Sequence, residues 1–568
     1  MKILGISAYY HDSAAAIIIN GKVIAAAQEE RFTRVKHDSS FPLEACKYCL
    51  KEANIALKDI DQVVFYEKPF IKFERILETH IRVAPKSITT FIQTIPLWLK
   101  SKFNMRKLIK KELSTLGEYR GNIYFCEHHL SHAAFAYYTS DFNDSIILTI
   151  DAVGEWTTTS VIYGCNNTLE ILKEQHFPHS IGMLYSAFTY FLGFKVNSDE
   201  YKLMGLAPYG ERHSEQTTKY IRLIEENIVN ISSDGSITLN MKYFAYDHSL
   251  VMIDERNWKT LFGINRREEN SIITQSHKNL AYAIQYVLEK IIRLLCSTLE
   301  KYSKNLCISG GTALNCSVNG MLLNQTNFNN IYIPFSPGDA GAAIGAALFA
   351  FYSAKTFNER INNQSPYLGP MYTNAEIKYE LDKRGVHYRY IDDFSSICDV
   401  TAQLIAEGNI IGWFQDRMEF GPRALGNRSI IADPRMFDMK DKINSKIKFR
   451  ESFRPFAPIV LEEHSKKYFD LSKKSPYMMF TCKVKDNTLP AITHVDQSAR
   501  VQTVDSKTNP KICMLLNSFY KMYNCPVLLN TSFNVMGEPI VCSPKDALST
   551  FEKSGLDYCV IGNFLINK

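Results

Sequence analysis

The 568-residue chain is marked first by what it lacks. No stretch reaches the roughly 18 uninterrupted apolar residues of a membrane-spanning helix. The nearest approach, Ala340 to Ala350, is rich in Gly and Ala and suits a tightly packed internal helix. The opening MKILGISAYY has no basic region, apolar core and cleavage site of a signal peptide, so a cytoplasmic protein with no membrane partner is expected. Neither sign of charge dominates. The 65 Lys and Arg stand against 59 Asp and Glu, a net of +6, too thin for a nucleic-acid-binding surface, and no nucleic acid partner is expected. With 46% hydrophobic and 22% charged residues, disorder has no compositional support. The 13 cysteines follow no regular spacing, and most lie in apolar runs (Cys296, Cys307, Cys542, Cys559), as reduced core thiols do. Cys46 and Cys49 form a CxxC inside a helical pattern with no second pair nearby, which reads as packing ahead of zinc or redox chemistry.

A chain this long exceeds a single core, and two or three domains are expected. Its first 27 residues read strand, turn, strand, turn, strand: KILGIS, YYHDS, AAAIII, Asn20-Gly21, KVIAAA. Asn-Gly between apolar runs is a hairpin signal because both residues tolerate positive φ. IILTID (146–151), AVGEW, TTTSVIY, a Gly164–Asn167 turn and TLEILKE repeat that order at nearly the same spacing. Two such meanders suggest an α/β fold of the duplicated actin-like ATPase type (ASKHA, Kae-type), with related lobes that bind a nucleotide. Helices are predicted over about 41–55, 87–116, 128–140, 178–193 and 275–303, and one starting near Thr312. At 356–370, TFNERINNQSPYLGP is polar and aperiodic, the best linker candidate. A second α/β region with strands NIIGWF, APIVLEE, PVLLNTS and YCVIGNF follows it. The boundaries read 1–360 and 366–568.

His128 and His132, in EHHLSHAAFAYY, stand at i and i+4 and so project from one helix face. Asp151 at a strand end and Asp339 in the turn SPGDAG supply two carboxylates, completing a shell of two nitrogens and two oxygens for a divalent cation. His129 points off that face, and Glu155 is placed as an outer partner. Gly310-Gly311 ends a strand and opens a helix, where free N–H groups favour a phosphate. The turn 336–341 is of the same kind, and two such loops can clamp one nucleotide. Lys202, in DEYKLMGLAPYG, adds a positive charge. The second region carries a basic run from Arg423 through Arg428, Arg435, Lys440, Lys442, Lys446, Lys448 and Arg450 to Arg454. Arg423 and Arg454 sit in apolar settings that call for an oxyanion partner, and Arg500 and Ser532 offer further donors. Together these describe a compact phosphate pocket.

These motifs in this order, from ILGISAYYHDSAA through EHHLSHAA, DEYKLMGLAPYG, SGGTALNC, SPGDAGAAIGAA and FGPRALGNRSI to LNTSFNVMGEPIV, resemble the antibiotic and nodulation-factor O-carbamoyltransferases (the NodU/CmcH group, which includes the tobramycin carbamoyltransferase). The resemblance implies an actin-like domain, a YrdC-like domain after it, and a reaction in two halves. Carbamoyl phosphate is cleaved and the carbamate adenylated by ATP in the YrdC-like domain. The carbamoyl group then passes to an acceptor hydroxyl in the actin-like domain. It further implies metal ligands His128, His132, Asp151 and Asp339, and carbamoyl phosphate or adenylate contacts Arg423, Lys448, Arg454, Arg500 and Ser532. Nucleotide contacts are expected at Lys202, Gly310, Gly311, Asn315 and Asp339, with Mg2+ accompanying ATP. Iron(II) is the metal that the resemblance suggests, and manganese or zinc suits the same donors. Lys448 and Arg454 would stabilise charge on phosphate oxygens. His11 or Asp12 either acts as general base for the acceptor or stabilises the turn. Ala152 stands where family members carry Gly, which narrows backbone freedom there. Carbamate is a poor electrophile that breaks down in water, so activation and shelter suit it. The alternatives are an actin-like small-molecule kinase, which would release ADP, a nucleotide-gated interaction protein, and a tRNA-modifying enzyme. The sequence leaves the acceptor and the oligomeric state open.

Overall fold

In a computed structural model, residues 1–98, 104–354 and 360–568 are described. The chain forms two compact units: residues 1–24 with 39–364, and residues 25–38 with 365–568. The placement of 25–38 in the second unit departs from the linear division at 360, and no composition shift marks it.

The first unit contains two mixed sheets of matching order. One comprises β1 (Lys2–Ser7), β2 (Ala14–Ile19), β3 (Lys22–Gln28), β4 (Gln62–Phe65) and β5 (Asn122–Phe125), ordered β3-β2-β1-β4-β5. The other has β6 (Asp144–Ile150), β7 (Thr157–Cys165) and β8 (Thr168–His176). After a separate hairpin of β9 (Val229–Ile231) and β10 (Ile237–Leu239), it is completed by β11 (Asn305–Ser309) and β12 (Asn330–Tyr332), giving β8-β7-β6-β11-β12. In each, the first strand pairs antiparallel with the second and parallel with a later strand. The repeated meander in the sequence thus becomes a repeated topology. β1 and β6 are buried along almost their whole length, as central strands are.

The helices form at Leu43–Glu52, Ile88–Leu97, Met105–Leu113, His128–Thr139, Ile181–Phe191 and Gln275–Leu299. Residues 99–103, inside the predicted 87–116 helix, and 356–359, at the start of the expected linker, lie outside the described residues. Pro69–Arg82 is a helix that the sequence reading missed. Near Thr312 a 3-10 turn (Gly311–Leu314) comes first. The helix begins at Cys316, because the Asn315 side chain caps it by accepting the Val318 N–H at 3.1 Å. Cys46 and Cys49 are fully buried on their helix.

The second unit is built on an eight-stranded sheet: β13 (Arg389–Tyr390), β14 (Ile411–Phe414), β15 (Arg428–Ala432), β16 (Ala457–Leu461), β19 (Gln502–Val504), β20 (Val527–Ser532), β21 (Tyr558–Ile561) and β22 (Phe564–Asn567). A two-stranded ribbon of β17 (Thr481–Lys483) and β18 (Ser498–Arg500) stands apart from it. The sheet order is β13-β22-β21-β14-β15-β20-β16-β19. No helix among the described residues is long and apolar enough to cross a membrane.

Candidate functional site

In the first unit, the helix His128–Thr139 is buried on nearly every residue. The helix Asp339–Ser353 packs against it so closely that a Cβ at Gly345 would lie 1.8 Å from the Ser131 carbonyl oxygen. Only a glycine permits that backbone approach. The packing sets the Asp339 carboxylate beside the imidazoles. His128 Nε2 and His132 Nε2 are 3.2 Å apart. Asp151 Oδ2 lies 3.1 Å from the first and 3.2 Å from the second. Asp339 Oδ1 lies at 3.7 and 3.4 Å. All four groups offer atoms within 4.8 Å of one another, as metal ligands do. Atoms bound to one cation at about 2.1 Å stand about 3.0–3.4 Å apart, so the donor set fits a divalent ion.

The electrostatics point the same way. Burial pushes the Asp151 carboxyl up, but hydrogen bonds from His128 and His132 hold it well below the usual carboxylate range. Asp339 is likewise lowered, with burial outweighed by the charge of His11 and a hydrogen bond from His132. His132, opposed by burial but hydrogen-bonded to both carboxylates, is raised to about 9. A dication would replace the protons that those carboxylates otherwise demand.

Outer contacts fix these groups. Both Glu155 oxygens accept the His128 N–H, at 3.1 and 3.2 Å, which satisfies the open amino end of the histidine helix. His129 turns away to Ser160 Oγ at 2.9 Å, off the ligand face. His11 Nδ1 is 3.1 Å from Asp12 Oδ2, and its Nε2 is 3.7 Å from Asp339 Oδ2. Burial opposes protonation of His11, yet Asp339 and Asp12 raise it to about 9. Asp12 has φ +52°, a conformation that the tight YYHDS turn imposes.

The two Gly-rich turns meet. The Gly310 N–H donates to the Pro337 carbonyl at 2.9 Å. Gly310 has φ +86°, and Gly311 borders Asp151, whose Oδ1 would be 3.2 Å from an added Cβ. Asn315 is committed elsewhere: beyond its capping bond, its Nδ2 donates to Gln285 Oε1 at 3.0 Å. Lys202 pairs with Asp199 at 3.1 Å.

In the second unit the basic run separates into roles. Arg428 is fully buried, donates to the carbonyls of Gln415, Asn427, Pro370 and Asp416, and stacks 3.6 Å from the Phe414 ring centroid, so it braces the fold. Arg435 pairs with Asp433 at 2.6 Å, and Lys442 pairs with Asp438 at 2.9 Å. Lys448 is different. It is buried, and its ammonium donates to the Ser532 carbonyl, to Ser532 Oγ at 3.3 Å, to the Asn534 carbonyl at 2.9 Å and to Asn534 Oδ1 at 2.8 Å. Burial, with the charges of Arg450, Arg454 and Lys36, pushes its ammonium well below the ordinary lysine value. Arg454 pairs with Glu451 at 3.6 Å. Arg500 Nε is buried with no hydrogen-bond partner. A buried ammonium with further cationic groups around it suits an anionic ligand.

The sequence reading omitted Asn534, Lys36, Gln502 and Asn530. Asn534 had a signal, since it stands two residues past Ser532. Lys36 had none, lying more than 400 residues from Lys448 in the chain. Gln502 and Asn530 are hydrogen-bonded to each other at 2.9 Å. They also donate to the Leu425 and Ala424 carbonyls at 2.9 and 3.1 Å, which ties together the segments that carry Arg423, Arg500 and Ser532.

Two family models match the chain: Carbamoyltransferase N-terminus over residues 2–348 and Carbamoyltransferase C-terminus over residues 402–568. An uncharacterized protein of Synechocystis, sll1178, is 48% identical, covering 100% of this chain and 96% of the relative. Nodulation protein NolNO of Sinorhizobium fredii is 36% identical, covering 99% of this chain and 79% of the relative. Among solved structures, an activator of the 2-hydroxyisocaproyl-CoA dehydratase from Clostridium difficile is 14% identical. It covers 62% of this chain and 96% of that chain with a TM-score of 0.32.

Proposed function

Because the chain belongs to the carbamoyltransferase family, we propose that it is an ATP-dependent O-carbamoyltransferase working through two half-reactions in separate places. The second unit takes carbamoyl phosphate and ATP, as a YrdC-like domain. Water cleaves carbamoyl phosphate, and carbamate and inorganic phosphate form. A carbamate oxygen attacks the α-phosphorus of ATP, pyrophosphate leaves, and carbamoyladenylate remains. The first unit, as an actin-like domain, receives that mixed anhydride. An acceptor hydroxyl attacks its carbonyl carbon, the bond to the adenylate oxygen breaks, and AMP departs.

The observation that carries this reading is the buried Lys448 ammonium, with the charges of Arg450, Arg454 and Lys36 around it and Ser532 and Asn534 as its hydrogen-bond partners. An actin-like kinase has no need of it. Lys448 and Arg454 neutralise charge growing on phosphate oxygens, and Arg423, Arg500 and Ser532 hold the anion. In the first unit, His128, His132, Asp151 and Asp339 hold a divalent cation, of which iron(II), manganese and zinc suit the donors. When bound, the cation supplies positive charge to the adenylate phosphate or the carbamoyl oxygen. Gly310 and Gly311 present backbone to the nucleotide, with Lys202, Asn315 and Asp339 in the same lobe. His11 or Asp12 takes the proton of the acceptor hydroxyl; a cation held by Asp339 would offset the charge that otherwise keeps His11 protonated. The acceptor is a small molecule bearing a hydroxyl, such as a natural product or a sugar.

Incubation with ATP, carbamoyl phosphate and a panel of hydroxyl acceptors should yield AMP, pyrophosphate and a carbamate ester. ADP with a phosphorylated acceptor would overturn the assignment in favour of a kinase.

A further inference from the structure

In the second unit, Arg423 sits on a loop, residues 421–428, that joins no regular element until β15 begins. Such a loop needs an internal organiser to hold a guanidinium in place. Glu419 lies just ahead of it and is 3% exposed. Its Oε1 accepts three backbone N–H groups from the far side of the loop: Leu425 at 2.7 Å, Asn427 at 2.7 Å and Arg428 at 3.1 Å. Several N–H groups converging on one oxygen make an anion nest, here filled by the chain's own carboxylate. The other oxygen, Oε2, is buried with no hydrogen-bond partner. A side chain held at that desolvation cost has a task at its bonded end.

Other contacts flank Arg423 on both sides, and Asn509 donates to the Leu425 carbonyl at 3.4 Å and to Asn427 Oδ1 at 2.9 Å. Before it, Arg31 donates to the Gly421 carbonyl at 2.8 Å. After it, Asn530 holds the Ala424 carbonyl, while Tyr367 and Gln502 hold that of Leu425 at 3.0 and 2.9 Å. Arg31, Tyr367, Gln502 and Asn530 each grip one residue of the loop. Glu419 alone among these grips three, and it closes the loop on itself.

We infer that Glu419 is a positioning residue for carbamoyl phosphate binding: its carboxylate folds the 421–428 loop and thereby aims the Arg423 guanidinium at the anion. This rests on the proposed contact between Arg423 and carbamoyl phosphate. No bond to substrate is assigned to Glu419 itself, so its effect passes wholly through the loop.

The test is a double-mutant cycle on the full-length protein, read as the KM for carbamoyl phosphate in pyrophosphate release. Arg423→Ala should raise that KM about 10-fold or more. Glu419→Ala should raise it to a similar degree, and the double variant should be no worse than Arg423→Ala alone. Glu419→Gln keeps an acceptor atom and serves as the folded control. It should raise KM by a smaller factor, about 3-fold, with kcat and the melting temperature near wild type. AMP release from supplied carbamoyladenylate should be unchanged in both Glu419 variants. An unchanged KM in Arg423→Ala overturns the anion contact and this inference together. A raised KM there, with additive effects in the double variant or a wild-type KM in Glu419→Gln, overturns the inference alone.

Discussion

The two units gather charge of opposite sign around buried side chains. In the first, Asp151 and Asp339 lie 3.1–3.7 Å from the imidazoles of His128 and His132 and are held ionised, Asp151 by those two and Asp339 by His11 and His132. In the second, Lys448 is surrounded by Arg450, Arg454 and Lys36 and is driven toward its neutral form. Buried charge is costly unless a counter-charge is present. Under the proposed function, each cluster matches the sign of its ligand, a cation in one case and an anion in the other. Residue type alone does not give this, because Arg428 and Arg435 are equally basic yet are satisfied within the fold.

The sharpest way to break the comparison is to remove one charge from each side. Arg454→Ala should cut carbamoyl-phosphate-dependent pyrophosphate release about 1000-fold or more and leave bound metal at the wild-type level, as measured by elemental analysis. His132→Ala should do the reverse: bound metal is lost, while pyrophosphate release persists. If both variants fail both assays while folded, the two clusters are one site and the comparison is wrong.

A second prediction concerns how the cation cluster is built. Gly345→Ala places a methyl group 1.8 Å from the Ser131 carbonyl oxygen, so the helices carrying His132 and Asp339 must separate. The expected cost is about 1–3 kcal/mol in stability, read by thermal unfolding, together with weaker metal binding. Full metal affinity in a destabilised variant would show that this packing does not set the ligand geometry.

The smallest effect probes the anion cluster through pH. Lys448 has its pKa depressed in the free protein, and an anion beside it raises that value again, so binding takes up a proton. Affinity for inorganic phosphate should therefore weaken as pH rises from the depressed Lys448 value of the free protein to the higher value of the complex, at most about tenfold per unit for a single proton. Titration calorimetry in buffers of different ionisation enthalpy reads the uptake directly. Lys448→Met should abolish it, and uptake persisting in that variant would assign it to another group.

The clusters were unequally legible in the sequence. Two imidazoles at i and i+4 share a helix face by geometry alone, and strand or turn ends are where carboxylates gather, so His128, His132, Asp151 and Asp339 could be grouped from spacing. The duplicated meander was legible for a similar reason: turns such as Asn20-Gly21 punctuate it. Of the cationic cluster, Lys448, Arg450 and Arg454 lie in one basic run that the sequence marks, but local pattern does not reach Lys36, more than 400 residues away. Glu419, in MEFGPR, reads as an ordinary surface charge beside a turn; only its buried bonds to Leu425, Asn427 and Arg428 reveal it. The helix Pro69–Arg82 escaped because it leaves Phe70 and Ile81 exposed, which blurs the apolar period. The division at 360 missed residues 25–38 because packing, not composition, places them.

The most direct test of the division of labour is to bypass the second unit. Synthetic carbamoyladenylate, supplied to the Arg454→Ala variant with the acceptor panel, should be converted to AMP and carbamate ester at close to the wild-type rate, even though ATP and carbamoyl phosphate give that variant no product. A folded, metal-loaded Arg454→Ala protein that cannot use carbamoyladenylate would contradict the account.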